Sequence, residues 1–323
     1  MISSRNQIIS MIEQGAIPAE NIDAALAATK IQPDGKAWLT FIDRLLLWLG
    51  GLALAFASVF FIAYNWGEIG RFAKFAMVEG LIALAIAAHW KMNTQAIGQK
   101  VSLLVATILL GVLLALYGQT YQTGADSWQL FAVWALLMLP WAFIGRFAAI
   151  WILWVLLINL SLVLYQQTFG DVFDVVFASG TGILWTTFVF NTLALLLWEY
   201  LANTRNWLAE RWAIRLLAVS SGLPVTWLAL HAIFDNEITY VWHGLVWIIW
   251  LAGLYVIYRQ LKPDLFMLAG GCLSGIVVLV AFLSRHMLSN GAPGSFLFLA
   301  LLIIALGTGT AIWLKNIHRE WQS

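Results

Sequence analysis

Glu79 lies seven residues inside an otherwise apolar run, residues 72–89. If that run is a helix crossing a bilayer, Glu79 is roughly 10 Å along its axis. A carboxyl at such depth is costly in lipid and normally faces protein or a water-filled cavity. Ala76, Ala83 and Ala87 share its helical face, and small side chains let another helix approach closely. The expectation is a carboxyl buried in a bundle, suited to coupling a proton or cation. The alternative is a structural carboxyl hydrogen-bonded to Asn159, Asn191 or a backbone carbonyl.

A second polar group closes the third apolar run. Thr107, Gly111, Ala115, Gly118 and Gln122 recur at spacings of three or four, on one face of a helix. Gln119 and Tyr121 lie beside that face, and Asp126 follows a glycine turn. An amide, a phenol and a carboxylate at a membrane boundary offer donors and acceptors for a ligand; the bland reading is a well-packed helix with a hydrogen-bonded cap. The seventh run holds Ser220, Gly222 and Pro224. Pro224 has no N–H for the carbonyl of Ser220, so a break or kink is expected there, and transport sites are often built at broken helices. His231, His243, Arg285 and His286 fall near one boundary without a local metal-binding spacing. There is no Walker loop, no G-x-S-x-G and no Cys/His zinc pattern. No cofactor, metal or enzymatic activity is expected.

The elements that would position these residues are helices in lipid. Of 323 residues, 62% are hydrophobic and only 10% charged, against roughly 25% charged in a soluble domain. Ten runs are long enough to span: 45–64, 72–89, 101–121, 129–145, 147–165, 181–200, 213–233, 241–258, 265–284 and 295–314. The fourth and fifth are separated only by Gly145-Arg146, a tight hairpin. Lys and Arg mark one side: Arg5, Lys30, Lys36, Arg44, Lys91, Lys100, Arg146, Arg205, Arg211, Arg215, Arg259, Lys262, Lys315 and Arg319 fall at the N-terminal side of the membrane. Arg71, Lys74 and Arg285 fall at the other, with Glu68, Asp126, Asp171, Asp174, Asp235 and Glu237. The positive-inside rule then puts both termini in the cytoplasm. The first span starts too late for a cleaved signal sequence and is expected to stay as an anchor.

Residues 1–40 read as a cytoplasmic segment of two short helices, ended and reopened around Gly15 and Ile17-Pro18, with a turn at Pro33-Asp34-Gly35. The transmembrane domain covers 45–314 and a cytoplasmic tail 315–323. Ten spans divide into two sets of five, a geometry compatible with inverted repeats, although no residue-level similarity links the halves. Gly271-x-x-x-Gly275 reads as internal helix packing, and the lone Cys272 sits in an apolar run.

Two stretches carry a resemblance. One is Phe61-Ile62-Ala63-Tyr64-Asn65-Trp66. The other is Gly118-Gln119-Thr120-Tyr121-Gln122-Thr123-Gly124-Ala125-Asp126, followed by Trp128, Leu130-Phe131 and Trp134-Ala135-Leu136. Behind a short bihelical leader, and over residues 1–145, they resemble the bacterial predicted membrane proteins of domain-of-unknown-function family 2157. The resemblance implies a multi-span protein of the bacterial inner membrane and supplies no reaction, substrate or cofactor.

The sequence therefore leads to an all-α membrane bundle of about ten helices with a short bihelical N-terminal cytoplasmic segment. Its leading functional expectation is a transporter or flippase-like protein, acting on an unnamed small molecule or lipid through Glu79 and an outer mouth of Gln119, Tyr121, Gln122, Asp126, Asn65 and Trp66. The other expectation is a non-transporting scaffold or signalling subunit whose N-terminal segment meets a protein partner. The lipid bilayer is a partner in both. A net charge of +1 gives no case for nucleic acid.

Overall fold

The computed structural model describes residues 11–12, 14–21, 35–65, 67–92, 97–170, 180–234, 241–288 and 293–322. These residues form helices and no strand, and ten candidate spans are long and apolar enough to cross a membrane. The helices are α1 Gly35–Tyr64, α2 Arg71–Lys91, α3 Ile97–Tyr121, α4 Ser127–Leu137, α5 Leu139–Gly145, α6 Ala148–Phe169, α7 Gly182–Ala202, α8 Arg211–Phe234, α9 Val241–Val256, α10 Leu265–Leu288 and α11 Pro293–Glu320. α4 and α5 together make one span. α9 ends in a wider π-helical turn, Ile257–Leu261. The protein is an all-α multi-span membrane protein.

Most spans lie where the apolar runs place them, and the first and last differ. α1 starts at Gly35 rather than Leu45, and its crossing stretch is Gly35–Ala57. Trp38, Leu39, Phe41 and Ile42 continue the apolar surface past Asp43 and Arg44. Thirty residues make about 45 Å of helix, more than the roughly 30 Å hydrocarbon core, so one end stands in the headgroup layer. α11 likewise runs to Glu320 and takes in most of the segment expected as a tail. Its last turn carries Arg319, a cation that suits a helix C-terminus.

Little of the expected bihelical leader is described. Gly15 adopts φ +70° and ends a helical turn, with the N–H of Ala16 on the carbonyl of Met11. Ala19–Asn21 forms a single 3-10 turn after Pro18. Residues 1–10 and 22–34, on which the rest of that expectation falls, lie outside the described residues.

The chain forms two compact units, Met1–Val112 and Leu113–Trp321. In the first, α1 meets α3 at Gly51. A Cβ there would stand 2.7 Å from Val101 Cγ1, so only glycine allows this approach.

In the second unit, α7 and α8 form the central pair, flanked by α6, α9 and α10. Val155, Leu195, Trp198, Ile214, Leu217, Leu254 and Met267 share its core. Two prolines behave differently there. Pro140 lacks the N–H that would reach Leu136, and the fourth span divides into α4 and α5 at the fully buried Met138. Pro224, by contrast, lies inside α8, which runs on without interruption. Of the break or kink expected around Ser220, Gly222 and Pro224, no break is present, and an unforeseen one exists at Met138. The Gly145-Arg146 hairpin is as expected: Arg146 takes the left-handed conformation (φ 41°, ψ 50°), Phe147 is extended, and α6 starts at Ala148.

Candidate functional site

Polar side chains in the second unit are paired between helices along the membrane depth. Gln166 of α6 donates to Thr186 of α7 at 2.6 Å. Asn159 of α6 and Asn191 of α7 exchange amide hydrogen bonds of 3.0 and 2.7 Å. Ser221 of α8 pairs with Thr192 of α7 at 2.7 Å and accepts the indole N–H of Trp250 at 3.0 Å. Thr226 of α8 pairs with Ser274 of α10 at 2.6 Å, and Ser274 also accepts from Trp247. Such bonds answer the cost of polar groups in a medium without water.

The Thr226–Ser274 pair, with Trp250, borders a cleft of about 340 Å³ between α8, α9 and α10. Gly222, Leu223, Trp250, Phe266, Gly270 and Leu273 contribute to its walls, and the polar atoms beside it belong to Thr226 and Ser274. Gly222 makes room for the ring of Trp250: a Cβ there would stand 2.9 Å from Cη2. Residues expected to break a helix instead hold a tryptophan against it.

At the end of the unit where α7 stops and α8 starts, five charged side chains converge. Glu199 accepts from Arg211 at 3.2 Å, Lys262 at 2.6 Å and the hydroxyl of Tyr258 at 2.9 Å. Asp264 accepts from Arg211 Nε at 3.0 Å and from Arg215 at 3.2 Å. It also caps α10 by accepting the N–H of Phe266 at 3.0 Å. Burial alone would raise the Asp264 carboxyl, but the hydrogen bonds and charges of Arg215 and Arg211 outweigh it and hold the group below the usual carboxylate range. Both carboxylates are neutralised by cations, so the cluster fastens α7, α8, α9 and α10 rather than offering a free base.

This cluster is not legible in the sequence. Its bonded partners are 12 to 63 residues apart and each looks like an ordinary charge at a span boundary. The available signal was Arg211 and Arg215, one turn apart, with an acidic residue at the N-cap of a later span.

The polar mouth at the end of α3 has a plainer architecture. Gln122 takes the left-handed conformation, φ 46°, and the N–H of Thr123 reaches back to the carbonyl of Gly118. That six-to-one bond with a left-handed residue is how a Schellman turn ends a helix. Gly124 follows at φ 65°, and Asp126 is the N-cap position of α4, its carbonyl accepting from Gln129. Gln119, Tyr121, Gln122 and Asp126 are all exposed. Asn65 does a related task in the first unit, its side-chain amide donating to the carbonyl of Phe61 at 2.9 Å. Residues 10–151 match the family model described as Predicted membrane protein (DUF2157). Both stretches that carry the resemblance lie within the DUF2157 match, which runs from the leader into the first turn of α6. No curated protein and no solved structure matches the chain.

Glu79 lies inside the DUF2157 match and not where its spacing suggested. It is exposed, as are Ala76, Gly80, Ala83 and Ala87 on the same face of α2, while Lys74 and Val78 are buried. The grouping on one face holds; the expected burial does not, because the face that carries Glu79 looks outward, as do the large Phe72, Leu84 and Trp90 of the same helix. Asn159 and Asn191, offered as partners for Glu79, are paired with each other. Glu79 and Asn65 belong to the first unit and the Gln119–Asp126 turn to the second. Trp66, Asp171, Asp174, Asp235 and Glu237 lie outside the described residues. Of the histidines, His243 is buried with its Nε2 accepting from Trp185 at 3.1 Å, whereas His286 meets the ring of Phe282 at a tilt of 45°. Among the described residues no three His, Cys, Asp or Glu side chains gather in a metal-binding group.

Proposed function

We propose that this protein is a non-enzymatic, flippase-like membrane protein whose substrate is an amphiphile rather than an ion. The observation that carries this reading is the carbon-walled cleft of about 340 Å³ between α8, α9 and α10. Such a surface suits an acyl chain, whereas an ion would find no carboxylate among the residues lining it. The test is movement of fluorescent phospholipid between the leaflets of vesicles holding the purified protein. Movement faster than in protein-free vesicles is expected; equal rates across neutral and anionic lipids would defeat the reading.

One observation favours the second reading, a subunit or scaffold. Glu79 is exposed in mid-span beside Ala76, Ala83 and Ala87, a face where another transmembrane segment could approach closely and satisfy the carboxyl. Glu79→Gln separates the alternatives because the amide keeps shape without ionising. Under a coupling role, expression and folding persist while lipid movement is lost. Under a partner role, lipid movement is retained and a crosslinked companion disappears.

The basic residues support a bacterial inner-membrane orientation with both ends cytoplasmic. Cysteines introduced at Ser3, Ser127 and Gln322 test it. An impermeant reagent added outside should label only the second, and a labelled terminus would reverse the orientation.

A further inference from the structure

A second groove, separate from the cleft, opens at the end of the second unit where α5 turns into α6 and α7 stops. Its volume is about 760 Å³. Phe143, Trp151, Trp154, Trp198 and Trp207 contribute to its walls, and Arg146 and Arg205 border it. The aromatic wall is held in place by hydrogen bonds. The indole N–H of Trp151 donates to the carbonyl of Ala142 at 3.1 Å, and that of Trp198 to the carbonyl of Leu208 at 3.1 Å. Trp151 also stacks against Trp207 and meets Phe143 edge to face.

Two features of this groove are not explained by packing. Arg146 and Arg205 are both exposed and neither makes an ion pair among the described residues, although both come to one opening. The indole N–H of Trp154 is buried without a hydrogen-bond partner, and an unpaired buried donor is costly. Trp154 lies six residues into α6, roughly 9 Å from its start. The groove thus has cations at the level of the headgroups, an unpaired buried donor in its wall about two turns deeper, and carbon and aromatic surface alongside.

We infer that this groove binds one anionic glycerophospholipid of the adjacent leaflet. Its phosphate group would lie between Arg146 and Arg205, since guanidinium forks match phosphate oxygens. An ester carbonyl of the glycerol backbone would accept from Trp154, and one acyl chain would lie along the aromatic wall towards the exposed Leu193 and Leu197. Charge complementarity selects this occupant: a zwitterionic lipid supplies the phosphate but adds a cation beside two others, and a free anion leaves the aromatic wall and Trp154 unused. The site does not depend on the cleft or on lipid movement, so either inference can fail without the other.

The test is native mass spectrometry of the full-length protein in detergent, titrated with dioleoyl phosphatidylglycerol, dioleoyl phosphatidylcholine or inorganic phosphate. Phosphatidylglycerol is expected to be retained at least tenfold more tightly than phosphatidylcholine, with no retention of phosphate alone. Arg146→Gly combined with Arg205→Gln should remove that preference. Folding is not at risk at the first position, because glycine relieves the left-handed strain that Arg146 bears. Trp154→Phe, which keeps the ring and deletes the donor, should weaken retention of both phospholipids alike. Arg319→Gln, a charge loss on the last helix, should change nothing. Equal retention of the two phospholipids by the unaltered protein, or a preference that survives the double substitution, would overturn the inference.

Discussion

Asp264→Ala is expected to lower the stability of the second unit by about 2–4 kcal/mol, below the 3–5 kcal/mol range for breaking a fully buried ion pair. The discount reflects its partners: the Asp264 side chain is 2% exposed, but Arg211 and Arg215 are 34% and 42% exposed and can turn towards water. The substitution also removes the N-cap of α10, worth about 0.5–2 kcal/mol by itself. Asp264→Asn keeps an oxygen for the N–H of Phe266 while deleting the charge, so it should fall between the two. Acid adds an independent check. A carboxyl held below its unfolded value, about 3.9, contributes stability that is full above that value and disappears as pH falls through the folded one. Thermal unfolding followed by tryptophan fluorescence should therefore show the parent protein losing stability below about pH 4 more steeply than Asp264→Asn. Matching acid profiles, or an alanine variant as stable as the parent, would mean that the cluster does not fasten these helices.

Gly222→Leu should have a comparable effect for a steric reason. Its Cβ would enter at 2.9 Å from Cη2 and 3.2 Å from Cζ2 of Trp250. The indole cannot simply retreat, because its N–H is engaged by Ser221. Overpacking of this kind costs about 1–3 kcal/mol, and losing the hydrogen bond adds roughly 1 kcal/mol. The leucine also occupies the cleft, so lipid movement should fall with stability. Trp250→Leu gives a coupled control: in its presence Gly222→Ala should cost much less than in the parent. Additive effects of the two changes would show that these residues do not meet as described.

The spans were legible because lipid imposes a length requirement that soluble folds lack. The ends of α1 and α11 were not, since Asp43, Arg44 and Lys315 can extend a helix into the headgroup layer without ending it. Pro224 and Pro140 show the limit of residue-level rules: each removes one donor, and only one divides its span. In the Gly118–Asp126 stretch the glycine turn before Asp126 and a hydrogen-bonded cap were legible, but the residue that ends α3 was not, because Gln122 stands in the left-handed position that glycine usually advertises. Glu79 was grouped correctly with its alanines, but periodicity names a face without saying which way it looks. The Glu199–Asp264 cluster stayed hidden because its members come from separate helices and meet only after those helices assemble.

Hydrogen bonds along α7 turn that helix into a ruler. Thr186 and Asn191 are read by α6, Thr192 by α8, Trp185 by α9, and Glu199 by α8 and the π-helical turn. Apolar contacts in lipid tolerate small axial shifts, because one methyl replaces another. These marks do not. A slip of α7 by a single turn, about 5.4 Å, would misalign them all at once, so the inserted chain has one register in which these five side chains find their counterparts.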